Sequence, residues 1–153
     1  MAVATDEVER RIDSLSHALR ASGLRLTHQR LEVVREVAQS DRHPDVESIY
    51  RAVRERVPTI SLDTVYRTLA TLDGLGLVKR VTATPGPARY DANTAHHHHF
   101  VCTRCGLIRD VDDQELDAVS AARGAAPFGS VESIEVQLRG ICNDCRTKER
   151  DHD

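Results

Sequence analysis

Apolar positions in the first ninety residues recur at three- and four-residue steps. Val8, Ile12, Leu15 and Leu19 form one stripe and predict an amphipathic helix that Gly23 ends. Thr27 is placed to cap a second helix with Leu31, Val34, Val37 and Ala38 facing inward. His43-Pro44 interrupts, Asp45 caps a third helix with Val46, Ile49, Tyr50 and Val53 on one face, and Pro58 ends it. Ser61 caps a fourth, whose Leu62, Val65, Leu69 and Leu72 fall within about 80° of one another on the helical wheel. Its other side, Asp63, Thr64, Arg67, Ala70 and Thr71, is polar and free of bulky aliphatics. Gly74 and Gly76 close this helix. Short strands at Leu77–Val81 and Ala88–Tyr90 follow, separated by the reversal Thr84-Pro85-Gly86-Pro87.

Helices followed by a hairpin is the layout of a winged helix-turn-helix, and beyond it the pattern changes. Asp91–Ala95 reads as a linker. Phe100-Val101 and Leu107–Val111 read as short strands, 114–123 as a helix, and Val131–Arg139 as an alternating strand. Arg146–Asp153 reads as a solvated tail. The expected organisation is a DNA-binding domain at 1–90, a hinge at 91–95 and a small α/β domain at 96–153, an α+β protein overall.

Charge sharpens this division. The 153 residues carry a net charge of −3, but residues 1–90 hold 14 Lys and Arg against 12 Asp and Glu, and residues 91–153 hold 7 against 12. A protein that coats nucleic acid along its whole length would be basic throughout. With no Trp and only five aromatics (Tyr50, Tyr66, Tyr90, Phe100, Phe128), stacking of single-stranded bases is excluded as the main binding mode. No apolar run approaches the ~18 residues of a membrane span, and the start lacks the basic-then-apolar order of a signal peptide. A cytoplasmic protein with no membrane partner is expected, in which thiols stay reduced and the four cysteines point to metal or redox chemistry.

Cys102-x2-Cys105 and Cys142-x2-Cys145 are two knuckles, each aiming two sulfurs at one point. Four thiolates suit tetrahedral Zn²⁺ and leave no open position, so the expected ion is structural, one per chain. A thioredoxin-like redox pair or two unrelated pairs are the alternatives. A second group combines histidine with carboxylate. His97 and His99 are alternate residues of an extended segment and share a face, close in sequence to Asp91 and Asp110, with His43 more distant. Imidazole with carboxylate suits Fe²⁺ or Mn²⁺ without excluding Zn²⁺; the alternative is a set of solvated polar side chains. His96 and His98 point to the other face, and with Asp117 their part in any further metal site stays open.

Several segments together carry a family resemblance: Leu24-Arg25-Leu26-Thr27-His28-Gln29-Arg30, His43-Pro44, Ser61-Leu62-Asp63-Thr64-Val65-Tyr66-Arg67-Thr68-Leu69, Gly76-Leu77-Val78, Ala88-Arg89-Tyr90-Asp91, and the histidine run into Cys102-x2-Cys105-Gly106. In order and spacing, over residues 15–147, the chain resembles the ferric-uptake-regulator (Fur) superfamily of metal-dependent repressors, most of all its peroxide-responsive (PerR) branch. The resemblance implies a regulatory Fe²⁺ or Mn²⁺, one per chain, on His43, Asp91, His97, His99 and Asp110, and a zinc site on Cys102, Cys105, Cys142 and Cys145. Asp110 matters most, because iron-uptake regulators usually carry Glu there and peroxide sensors Asp. Ile134 stands where the family usually has a His, which leaves the additional metal site of some members, at His96 and Asp117, incomplete. The family's usual aromatic before Gly140 is also missing.

The resemblance further implies a homodimer on palindromic double-stranded operator DNA, its acidic second half the dimerisation module. The fourth helix, led by Thr64, Tyr66 and Arg67, is the expected recognition helix. Arg25 and Arg30 are expected on backbone phosphates, with Lys79, Arg80 and Arg89 as weaker wing candidates. Metal is expected to favour the DNA-binding arrangement, and peroxide at bound Fe²⁺ to oxidise His43 or His97 and release DNA. The alternatives are an iron- or manganese-responsive uptake regulator without peroxide sensing and, in another class, a zinc-containing thiol oxidoreductase. That last reading lacks a thiolate beyond the four assigned to zinc, and no enzyme is expected.

Overall fold

The computed structural model describes residues 3–82, 86–118 and 123–150. The chain divides into two compact units, Met1–Thr94 and Ala95–Asp153.

The first unit has four helices, α1 (Thr5–Ala21), α2 (His28–Gln39), α3 (Val46–Arg56) and α4 (Leu62–Gly74), and then strands β1 (Lys79–Val81) and β2 (Arg89–Asp91). Three helices start at the expected side-chain caps. Thr27 accepts from the N–H of Arg30 at 3.3 Å, Asp45 from that of Ser48 at 2.7 Å, and Ser61 from that of Thr64 at 3.1 Å. At the end of α4 the stop is Gly76 rather than Gly74. Gly76 adopts φ +70, its N–H bonds the Asp73 carbonyl, and Leu77 N–H reaches back to Leu72, the paired bonds of a Schellman motif.

Helix α2 packs against α1, α3 and α4, and so is buried on more than one side. Val33 is therefore fully buried with the expected Val34, Val37 and Ala38, and Leu31 is only half-buried. The core continues through Leu15, Leu19, Ile49, Val53, Val65, Leu69, Leu72 and Val78. Leu62, expected inside, is exposed, and Thr68 takes an inner position instead. A buried threonine is tolerated there because its hydroxyl donates to the Thr64 carbonyl at 2.7 Å.

β1 and β2 pair antiparallel from Lys79↔Asp91 to Val81↔Arg89, so Asp91, expected in the linker, ends a strand. Thr84 and Pro85 of the expected reversal lie outside the described residues.

The second unit is a three-stranded sheet of β3 (His98–Cys102), β4 (Ile108–Val111) and β5 (Gln137–Gly140) in the order β4-β3-β5. β4 runs antiparallel to β3 and β5 parallel to it. The expected strand from Val131 is thus confined to its last residues. Among the described residues, backbone pairing with β3 begins at Val136, whose carbonyl accepts from His99 N–H at 3.1 Å. The expected helix at 114–123 is the single turn α5 (Gln114–Asp117) followed by a 3-10 turn at Arg123–Ala125, with 119–122 outside the described residues. The expected tail is helical as far as Arg150, in α6 (Asn143–Arg150), while 151–153 lie outside the described residues.

Candidate metal centres and nucleic-acid face

The parallel register of β3 and β5 ends at Cys102↔Gly140, two residues before Cys142, and so draws the cysteine pairs together. Gly106, at φ +72, lets the chain turn back after Cys105, with its N–H on the Cys102 carbonyl at 3.0 Å. Cys142 and Cys145 lie one helical turn apart at the start of α6. All four sulfurs lie within 4.8 Å of one another, and those of Cys105 and Cys142 are 3.7 Å apart. That spacing matches the ~3.8 Å edge of a sulfur tetrahedron around an ion with ~2.3 Å bonds. Backbone N–H groups of Cys105 and Cys142 draw the Cys102 thiol down to about 6. Cys145, facing the sulfurs of Cys142 and Cys105, is pushed up to about 12. Four sulfurs at this spacing suit a bound tetrahedral cation.

Histidine and carboxylate side chains meet in both units. In the first unit, His43 follows α2 with φ +50, in the left-handed region that non-glycine residues seldom enter. Its backbone is held from β2. Arg89 donates to the carbonyls of His43 and of Arg42, the latter at 3.2 Å, and Tyr90 N–H donates to the Pro44 carbonyl at 3.0 Å. His43 Nε2 consequently lies 3.2 Å from Asp91 Oδ2, with both side chains buried. Arg89, expected on the wing, donates to this loop.

In the second unit the β3–β4 register pairs His99 with Asp110. His97 Nε2 lies 3.0 Å from His99 Nε2 and 3.5 Å from Asp110 Oδ1, and His99 Nε2 lies 3.9 Å from the same oxygen. The opposite ring nitrogens are engaged elsewhere, His97 Nδ1 with the Ala95 carbonyl at 2.7 Å and His99 Nδ1 with Glu135 Oε1 at 3.0 Å. Carbonyl and ionised carboxylate only accept, so the hydrogen-bond partners assign each ring proton to Nδ1. Two inner ring nitrogens and a carboxylate oxygen then converge. Such a group calls for a cation, and its N/O composition suits a divalent transition metal.

On the other face of β3, His98 Nδ1 accepts from Val136 N–H at 3.1 Å, which leaves its Nε2 proton for Asp117 at 3.0 Å. His96 Nε2 lies 3.1 Å from the same carboxylate oxygen. Ile134 lines the adjoining cavity of about 240 Å³ with His96 and Asp117 and supplies no donor. Sequence patterns did not single out Glu135; its exposed, alternating segment gave no sign that it meets a buried histidine.

Two of the expected nucleic-acid contacts stand well exposed on α4: Tyr66, and Arg67, whose Nε is 2.8 Å from Asp63 Oδ2. Thr64 is half-buried, its hydroxyl 2.9 Å from that of Ser61 within the helix cap. Arg25 is exposed, and Arg30 donates to the Arg25 carbonyl. Lys79 and Arg80 are exposed on β1. No helix among the described residues is long and apolar enough to cross a membrane.

Four helices with a two-stranded wing, followed by a sheet unit with four converging sulfurs, define a winged-helix protein with a candidate four-cysteine metal centre. The sequence model of the Ferric uptake regulator family matches residues 21–139, and the chain belongs to that family. It is 30% identical over 148 residues to the peroxide-responsive repressor PerR of Staphylococcus aureus strain Mu50, covering 97% of this chain and 100% of that one. Among solved structures, the Campylobacter jejuni peroxide stress regulator is 30% identical, with a TM-score of 0.65 over 85% of this chain and 94% of that one. The Helicobacter pylori ferric uptake regulator Fur, at 24% identity, shares the fold with a TM-score of 0.74 over 95% and 97% of the two chains. The chain is a metal-responsive transcriptional regulator rather than an enzyme, of a family that binds DNA as dimers.

Proposed function

We propose that this chain is a peroxide-sensing repressor whose dimer binds palindromic operator DNA when each chain carries one regulatory Fe²⁺ or Mn²⁺. Cys102, Cys105, Cys142 and Cys145 hold one structural Zn²⁺ per chain. The regulatory ligands are His43, Asp91, His97, His99 and Asp110. The observation that carries this reading is the convergence of His97 Nε2, His99 Nε2 and Asp110 Oδ1 with their ring protons engaged elsewhere.

His43 and Asp91 belong to the first unit and the other three ligands to the second. One ion shared by both sets favours the arrangement that fits DNA, by its higher affinity for that state. In that state Thr64, Tyr66 and Arg67 of α4 enter the major groove, and Arg25 and Arg30 meet phosphates. Bound Fe²⁺ would supply the activation of hydrogen peroxide; one peroxide oxygen would be added to the His43 or His97 ring while the other leaves as water, and the weakened ligand set would release metal and then DNA. Asp110 and the similarity to peroxide-responsive regulators favour this over metal sensing alone.

The test begins with selecting duplexes from a random-sequence library on the Mn²⁺-loaded protein. Complexes loaded with Fe²⁺ or with Mn²⁺ are then challenged with dilute peroxide, and their histidine peptides are weighed. Binding lost with Fe²⁺ alone, together with one added oxygen on the peptide bearing His43 or His97, is expected. An Fe²⁺ complex that survives peroxide removes the sensing step and leaves an uptake-type, metal-dependent repressor.

A further inference from the structure

His97 and His99 face the same donor group, yet their outer nitrogens rest on unlike partners. His97 Nδ1 meets the neutral carbonyl of Ala95, whereas His99 Nδ1 meets the Glu135 carboxylate. Glu135 reaches a ring that is only 1% exposed from the connection that leads into β5, with its own side chain 56% exposed. A carboxylate on the far nitrogen of a ligating imidazole fixes the tautomer, holds the ring plane and makes the inner nitrogen more basic. A carbonyl does the first two and less of the third.

We infer that Glu135 is a positioning residue for the regulatory metal, acting through His99 Nδ1 to set how tightly Nε2 binds the ion. The inference rests on the proposed role of His99 as a ligand. Within the second unit, His99 is then the stronger anchor and His97 the weaker one. The exposure of Glu135 lets water compete for its carboxylate, so the added basicity is moderate, as a sensor that must load and unload requires. Because Glu135 lies just ahead of the residues that pair with β3, the pairing of His99 with Gln137 also fixes the distance between ring and carboxylate.

The experiment uses the full-length, zinc-loaded protein with Co²⁺ as the probe, read by its d–d absorption. Wild type is compared with Glu135→Ala, Glu135→Gln and His99→Ala. Glu135→Ala is expected to weaken Co²⁺ binding by roughly 10- to 100-fold while leaving the band shape unchanged. Glu135→Gln, which keeps an acceptor but not the charge, is expected to restore part of that loss. In the metal-free protein, ¹⁵N shifts of the His99 ring are expected to report the Nδ1–H tautomer in wild type and a mixture in Glu135→Ala.

Two results would overturn the inference. One is Co²⁺ affinity in Glu135→Ala within about twofold of wild type, well short of the loss expected for an outer-shell partner. The other is a changed d–d band, as when a direct ligand is lost. Wild-type Co²⁺ binding and spectrum in His99→Ala would instead remove His99 from the ligand set, a failure of the underlying reading that the variant separates from that of Glu135.

Discussion

The Nε2 atoms of His97 and His99 stand 3.0 Å apart, with the Ala95 carbonyl and the Glu135 carboxylate on their opposite ring nitrogens. Ring nitrogens held this close favour a cation beside them. Mn²⁺ at a hundred times its dissociation constant is therefore expected to stabilise the folded, zinc-loaded protein by about 2.7 kcal/mol. Denaturant melts with and without Mn²⁺ read this increment, which should vanish in His99→Ala. An equal increment in that variant would place the ion elsewhere.

Asp110→Glu keeps a carboxylate opposite His99 but lengthens it by one methylene. Metal-dependent DNA binding is expected to persist while release by peroxide slows severalfold. The time course of operator release from the Fe²⁺-loaded protein measures this, and unchanged kinetics would remove the weight placed on Asp110.

Arg89 was a wing candidate by sequence, but it donates to the carbonyls of Arg42 and His43. Arg89→Ala removes two hydrogen bonds, each of about 1 kcal/mol net, from a loop that keeps His43 at positive φ. Weaker Mn²⁺ binding is expected, with no change in how DNA affinity falls with salt. A salt slope reduced by about one unit would instead put Arg89 on a phosphate.

Glu32 is buried on α2 with Arg56 of α3 at 2.7 Å and Arg35 beside it. Burial alone would raise its pKa, but the Arg56 hydrogen bond and the charges of Arg35 and Arg56 together outweigh that, and the carboxyl lies below the ordinary glutamate value. A depressed folded-state pKa contributes stability that is present above the unfolded value of about 4.3 and is lost as pH falls through the folded one. Glu32→Gln is expected to cost about 1–3 kcal/mol at neutral pH and to flatten the acid limb of the stability curve. An unchanged limb would show that other carboxylates carry it.

Much of the first unit was legible because its signals are local. A cap acts on the next three residues and a stripe repeats every three or four, so Thr27, Asp45, Ser61 and the buried Val65, Leu69 and Leu72 follow from neighbours in sequence. The cysteine spacing was legible for a similar reason, since each x2 knuckle is one turn of chain. Local signals failed where packing decided the outcome. Glu32 and Thr68 lie outside the inward stripes that the periodicity marks, and both are buried because a partner or a helix carbonyl satisfies them. Leu62 read as inward and is exposed.

The sequence by itself determined which donor types are present, four thiols in two knuckles and histidines alternating with carboxylates nearby, because ligand chemistry depends on residue identity and short spacing. Tertiary structure alone decided which of their atoms meet. The parallel pairing of β5 with β3 brings Cys142 to Cys102 and Glu135 to His99, and Arg89 turns the His43 loop onto Asp91. These contacts join residues far apart along the chain. Their register is set by hydrogen bonds and side-chain fit that no local period encodes.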